Sequence, residues 1–170
     1  MRAKTALVAV LVCLALAGGI VAVPLSARSA SAGMGHPYRV GALEARLFYS
    51  DSGTFSENIV DNPRYQPLWN TVIGEGAAGG PSDALLVTVK VTGDPGSYEG
   101  GRRVRLKATS GKQTLLDKTL GVPILNEKGA AYVGFWVYDC TSQPLHLRAE
   151  ILGQRSNAAI HRSIPFASGD

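Results

Sequence analysis

Cysteine is almost missing from this chain, with Cys13 and Cys140 the two examples in 170 residues. Histidine is scarce as well, at three, and aromatic residues make up 7%. There is one long hydrophobic run, Ala6 to Val23. Each shortage excludes something. Two cysteines cannot build a disulfide scaffold. His36, His146 and His161 have no i, i+2 or i+4 spacing among them, so no zinc-type ligand motif is present. No G-x-S-x-G elbow or Cys–His signature marks a nucleophile. Asn70-Thr71-Val72 places its Thr one residue too early for an asparagine-linked sugar. Internal repeats, low-complexity tracts and helical periodicity of useful length are absent from residue 42 onward.

The first 32 residues carry the strongest pattern. Arg2 and Lys4 precede the apolar run, which leads through Pro24 to Ala30-Ser31-Ala32. A basic start, an apolar middle and a small-residue exit are the layout of a helical secretory signal. The expected segments are therefore a signal peptide over 1–32, a flexible leader over 33–41 and one domain over 42–170. Export to a bacterial periplasm or the extracellular space follows. An 18-residue apolar run is also the lower limit for spanning a bilayer, so an N-terminal membrane anchor is the alternative. Gly18-Gly19, Pro24 and the small-residue exit favour cleavage.

Cleavage after Ala32 leaves 138 residues, enough for one core without staples. It removes Arg2, Lys4 and Arg28, so the 17 basic residues fall to 14 while all 13 acidic residues stay. The formal charge drops from +4 to about +1. A near-neutral domain argues against general attraction to nucleic acid, and against membrane binding unless the signal is uncleaved. Cys13 departs with the signal and Cys140 stands alone. Burial at a strand end is its ordinary reading; an intermolecular bridge or a reactive thiol is the other.

Period-2 alternation dominates the rest. Leu43, Ala45, Leu47 and Tyr49 alternate with Glu44 and Arg46. Leu85, Val87, Val89 and Val91 form the clearest strand, followed by Val104, Leu106 and Ala108. Ser110-Gly111 opens a hairpin return over Gln113 to Leu120. Further strands are expected over Ala130 to Tyr138, Leu145 to Leu152 and Ala158 to Phe166, separated by turn residues. Seven short strands of this kind predict an all-β, seven-stranded antiparallel sandwich. From Val104 onward the layout resembles a bacterial immunoglobulin-like or macroglobulin-type module. Arg103-Val104-Arg105-Leu106, Thr114 to Asp117, Gly129 to Phe135 and Leu145 to Ala149 carry the resemblance, over less than half of the chain. It implies an architecture and no activity.

Residues 51–83 interrupt the pattern and read as a long flap between the first two strong strands. The flap holds Phe55, Ile59, Tyr65, Leu68, Trp69, Val72 and Ile73, too apolar for a disordered linker. Thr54 and Glu57 have capping-box spacing, which predicts a helical turn reaching Val60 and stopped at Asp61-Asn62-Pro63. Leu68 to Ile73 reads as an extra edge strand. In Ala130 to Tyr138 both faces are apolar, with Tyr132, Trp136 and Tyr138 opposite Val133, Phe135 and Val137. The flap is expected to cover the second face, Trp69 lying over Trp136.

Four clusters merit comment. Gly74 to Gly79 is a literal G-x-G-x-x-G, but Gly80-Pro81-Ser82-Asp83 and a strand follow where a dinucleotide site needs a helix. Asp51, Glu57, Asp61 and Asn62 offer oxygen atoms for calcium without the EF-hand order. His146 and His161 face outward on adjacent strands, an arrangement able to hold copper or zinc weakly, though solvent-facing imidazoles are commonplace. Arg102, Arg103, Arg105 and Lys107 form the basic cluster, suited to an acidic polymer or simply to a solvated sheet face.

No cofactor, metal or catalytic constellation emerges. The expected function is that of an exported, non-enzymatic module binding an envelope protein or glycan. Its contact residues would lie in the flap: Tyr65, Trp69, Asn70 and Glu75, aromatics serving as anchors. The alternatives are a small exported hydrolase with its site in the flap and a purely structural envelope component.

Overall fold

The computed structural model describes residues 37–66, 68–69, 79–80, 82, 84–138, 143–154 and 158–167. The segment expected to be a signal, Cys140 and most of the Gly74–Gly79 stretch lie outside the described residues. Ten strands run in chain order: β1 (Arg39–Tyr49), β2 (Thr54–Phe55), β3 (Leu68–Trp69), β4 (Ala84–Thr92), β5 (Arg103–Ser110), β6 (Gln113–Gly121), β7 (Ala130–Tyr138), β8 (Leu145–Leu152), β9 (Ile160–Ile164) and β10 (Phe166–Ala167). The seven long ones match the seven expected. Together with the two-residue β2 they form two antiparallel four-stranded sheets, a front sheet ordered β2-β1-β4-β7 and a back sheet ordered β6-β5-β8-β9. Among the described residues no helix is long and apolar enough to cross a membrane.

Alternation places the core as read. Ala45 and Leu47 of β1, Leu85 to Val91 of β4 at every second position, and Val133, Phe135 and Val137 of β7 are buried from the front. Val104, Leu106, Ala108, Leu147, Ala149 and Ile151 are buried from the back. Each fully buried Val, Leu or Phe side chain contributes on the order of 1.5–3 kcal/mol. At one end of the sandwich the chain passes very close to itself. The Gly93 N–H donates to the Gly129 carbonyl at 3.0 Å, and a Cβ on Gly93 would stand 2.9 Å from both Leu125 and Tyr38.

Four local expectations need correction. Tyr38, placed in the flexible leader, is buried with its hydroxyl 3.2 Å from that of Ser97, and β1 begins at Arg39. Thr54 starts no helical turn. It pairs in β2, with Phe55 opposite Phe48, and the helical turn is a 3-10 segment at Pro63–Tyr65 capped by Asn62. Asn62 Oδ1 accepts from the Arg64 N–H at 3.1 Å, so the Asn-Pro pair that should stop a helix instead starts one. The last strand is split, because Pro165 offers no N–H to the ladder. Beyond it the chain pairs in parallel with the flap, Phe166 opposite Leu68 and Ala167 opposite Trp69.

The flap's position is the fourth correction. It was expected over the outer face of the front sheet. The described part instead lies along the free edge of β1. Ser56 and Ile59 donate their N–H groups to the carbonyls of Leu47 and Ala45 at 3.0 and 2.8 Å. In return the Leu47 N–H donates to Ser56 Oγ at 2.9 Å and the Ala45 N–H to Asn58 Oδ1 at 3.0 Å. Short polar side chains here stand in for strand backbone. Asp61, at a left-handed φ of 53°, turns the flap toward the back sheet, where its carboxylate accepts from Arg162 Nε at 3.2 Å.

Candidate functional site

Two four-stranded sheets have four outer edges, and a bare edge invites pairing with another chain. Three of them are managed. The flap covers that of β1. The edge strand β6 carries Lys118 on its core-facing side, opposite Leu106, and a register shift at Ala108/Thr109. The edge strand β9 carries Arg162 on its core-facing side, opposite Leu147. Charges pointing inward at an edge disfavour the addition of a further strand.

The β7 edge is different. Its nine residues, AAYVGFWVY, include no charge and no proline. Its pairing with β4 runs from Ala84–Tyr138 to Thr92–Ala130 without a register shift. Among the described residues nothing pairs with its outer side. Between β7 and β6 lies a groove of about 460 Å³ lined by Gln113, Thr114, Leu115, Leu116, Lys118, Gly134, Trp136 and Tyr138. It is the open seam of the sandwich, and Gly134 leaves a gap in its wall between two large side chains.

The outer face of β7 adds an aromatic stripe. Tyr132 and Tyr138 are each 57% exposed and Trp136 is 39% exposed. Trp136 packs edge-on against Phe48, centroids 5.5 Å apart, and lies 6.0 Å from Phe55. Its ring runs nearly parallel to that of Tyr138, 18° and 6.4 Å away. Phe48 and Phe55 prop the indole from one side, so its position is set before any ligand arrives. Phe55 is the described flap residue that reaches this face, and no other ring contact to the stripe comes from the flap among the described residues. The sequence signal is the apolar character of both faces of this strand, which alone reads equally well as a surface covered by the flap.

The residues expected to make contact fare differently. Tyr65 is 7% exposed and belongs to the core, so its ring is no free anchor. Trp69 is tied through its backbone to Ala167, and its side chain lies outside the described set, as do Asn70 and Glu75. Three of the four residues proposed to offer oxygens to calcium are engaged elsewhere: Glu57 with Arg64 at 3.2 Å, Asp61 with Arg162 and Asn62 with the Arg64 N–H. Among the described residues no group of three or more His, Cys, Asp or Glu is arranged to hold a metal ion. At the end of the glycine-rich stretch the Gly79 N–H donates to the Tyr49 hydroxyl at 3.1 Å, and β4 follows, not a helix.

The basic cluster is partly neutralised. Arg105 grips Asp117 with two bonds, Nε to Oδ1 at 2.7 Å and Nη2 to Oδ2 at 2.6 Å. This hydrogen bonding, helped by the charges of Arg105 and Lys107, holds the Asp117 carboxyl below its usual range and raises Arg105 in turn. Arg102 pairs with Glu99 at 2.6 Å. Glu150, nearly buried, lies between Arg148 at 2.8 Å and Arg105 at 3.7 Å.

No protein-family model and no curated protein matches this chain. Its function has to be argued from its own surface.

Proposed function

We propose that this chain is an exported, non-catalytic module that captures an extended segment of a partner protein at the open edge of β7. The observation that carries the reading is the contrast among edges: three are covered or charged, while a nine-residue uncharged strand has no neighbour on its outer side among the described residues. Strand addition supplies main-chain hydrogen bonds for affinity, and side-chain pockets supply selectivity. The gap at Gly134 and the groove beside Trp136 and Tyr138 would serve as those pockets, and the three exposed rings as anchors. A glycan would use the rings alone and leave the backbone edge untouched.

The strand order supports an immunoglobulin-like topology. With the two-residue strands set aside, β1, β4 and β7 form one sheet and β6, β5, β8 and β9 the other. The chain therefore changes sheets after β4, β6 and β7, the crossing pattern of a Greek key. Export rests on the N-terminal segment alone.

A photo-crosslinking residue placed at Tyr138 of the full chain, expressed in intact cells, tests the reading. The expected result is one discrete protein adduct. It should disappear in a Trp136→Ala background and from a control position, Thr119, on the outer face of the back sheet. The purified complex should also protect the β7 backbone amides from hydrogen exchange. Ring-dependent binding without that protection would favour the glycan. An adduct of twice the chain's mass would make the partner a second copy.

A further inference from the structure

The opposite outer face, that of the back sheet, carries a second feature. Register places Lys107 of β5 opposite Arg148 of β8, and Arg148 opposite His161 of β9. The next row is Thr109, His146 and Ser163. All six alternate outward, and together with Leu147 and Arg162 they line an open cavity of about 500 Å³. Directly paired side chains stand about 4.5–5.5 Å apart at Cβ, and like charges so placed are destabilising. Asp117 of β6 stands opposite Lys107 at one end of this row and Glu150 lies 2.8 Å from Arg148, but Arg105 draws on both carboxylates. The row of Lys, Arg and His therefore keeps an excess of positive charge that an added anion would offset.

Every polar side chain in the two rows is able to donate a hydrogen bond, and no carboxylate lines the cavity. The acidic groups nearby are already engaged, one of them with the site's own Arg148. Glu150 accepts from Arg148 at 2.8 Å, Asp117 from Arg105, and Asp61 from Arg162. The Lys107, His146 and His161 side chains have no hydrogen-bonded or ion-paired partner among the described residues. Arg148 is held by Glu150 at one side of the cavity, its position fixed before a ligand enters. The two histidines, considered above as a metal pair, are diagonal neighbours and not opposite one another, and they stand among cations with no carboxylate to offset a metal's charge. From this we infer that the outer face of the back sheet is a binding site for a phosphate group, with Lys107, Arg148 and His161 meeting its charge and Thr109, His146 and Ser163 its remaining oxygens. The site lies on the other sheet from the β7 edge and stands or falls without it.

Nuclear magnetic resonance titration of the folded chain with inorganic phosphate tests this. Saturable shifts are expected at Thr109, His146, His161 and Ser163. Affinity should fall at least about tenfold in Lys107→Gln, as expected for a lost charge-assisted hydrogen bond, and survive in Lys107→Arg. Lys107 lies on the outer face of the sheet, so both variants should melt with the parent. A sedimentation arm identifies the source of the phosphate. Lys107-dependent binding to phosphatidylglycerol vesicles, but not to phosphatidylcholine vesicles, would mark a lipid headgroup. Phosphate binding without vesicle binding would mark a soluble phosphate ester. Three results would overturn the site: no saturable shift at these residues, equal affinity in Lys107→Gln, or zinc bound at His146 and His161 with phosphate ignored.

Discussion

Gly53 and Gly129 share a backbone conformation and differ in surroundings, which makes them a controlled pair. Their φ angles are 67° and 66°. A Cβ added at Gly53 meets nothing within 4 Å, whereas one at Gly129 runs into the carbonyl oxygen of Gly93. For either Gly→Ala change the left-handed conformation costs about 1–2 kcal/mol, offset by about 0.4–1 kcal/mol through the stiffer unfolded chain. Gly53→Ala should therefore cost on the order of 0.5–1 kcal/mol. Gly129→Ala must also push two backbones apart. That strains packing by about 1–3 kcal/mol and weakens the 3.0 Å bond from the Gly93 N–H, worth about 0.5–1.5 kcal/mol. The sum is roughly 3 kcal/mol or somewhat more. With a urea slope near 2 kcal/mol per molar, the midpoint should fall by about 1.5 M, against roughly 0.4 M for Gly53→Ala. Urea unfolding followed by tryptophan fluorescence measures both. Equal midpoints would refute the claim that the Gly93–Gly129 approach, and not the φ angle, decides the residue at position 129.

Further outcomes follow from features described above. Lys118→Val removes the inward charge of the β6 edge; the variant should stay folded but form oligomers at high concentration, and a monodisperse light-scattering profile would count against edge protection. Asp117 has a lowered folded pKa, so its contribution to stability is present above its unfolded value, near pH 4, and disappears as pH falls through the folded value. Asp117→Asn should therefore show a shallower loss of thermal stability below about pH 4 than the parent does. Asn126 Oδ1 accepts from the N–H groups of Lys128 and Ala130 at 2.9 and 3.1 Å; Asn126→Ala should cost about 1–2 kcal/mol in chemical unfolding. If residues 1–32 are a cleaved signal, the intact mass of the chain recovered outside the cytoplasm should correspond to a start at Gly33, and a product retaining Met1 would make that segment an anchor instead.

Where strands were concerned, the sequence was legible because alternation reports burial directly. Leu85, Val87, Val89 and Val91 face the core for the reason that made them visible. The flap was not legible. Its Ser56 and Asn58 act on the β1 backbone, and nothing in a short polar side chain's identity says which of the N–H groups in a folded chain it will meet. Thr54 and Glu57 matched a helix start by spacing, and pairing with β1 overrode that local preference. The candidate site was half legible. Two apolar faces on Ala130 to Tyr138 stood out, but whether that strand is an edge depends on the order of strands in the sheet. The two rows of the phosphate site are a product of register across β5, β8 and β9. His146 and His161 were correctly placed facing outward, while their alignment with Lys107, Thr109 and Ser163 required the ladder itself.

The parallel contact between β3 and β10 ties position 68 to position 166, 98 residues apart, with Arg162 and Asp61 joined beside it. Closure over such a separation comes late in folding, because the entropy of the intervening chain opposes it until other contacts have formed. For a chain that emerges from its N-terminus, the flap cannot be locked until Phe166 and Ala167 have appeared. Until then the flap is held to the β1 edge by β2, Ser56, Asn58 and Ile59, without the pairing to β10. The β3–β10 pairing thus closes last, and a chain truncated before Phe166 should be cut faster in its flap by added protease than the parent, even though its seven long strands are intact.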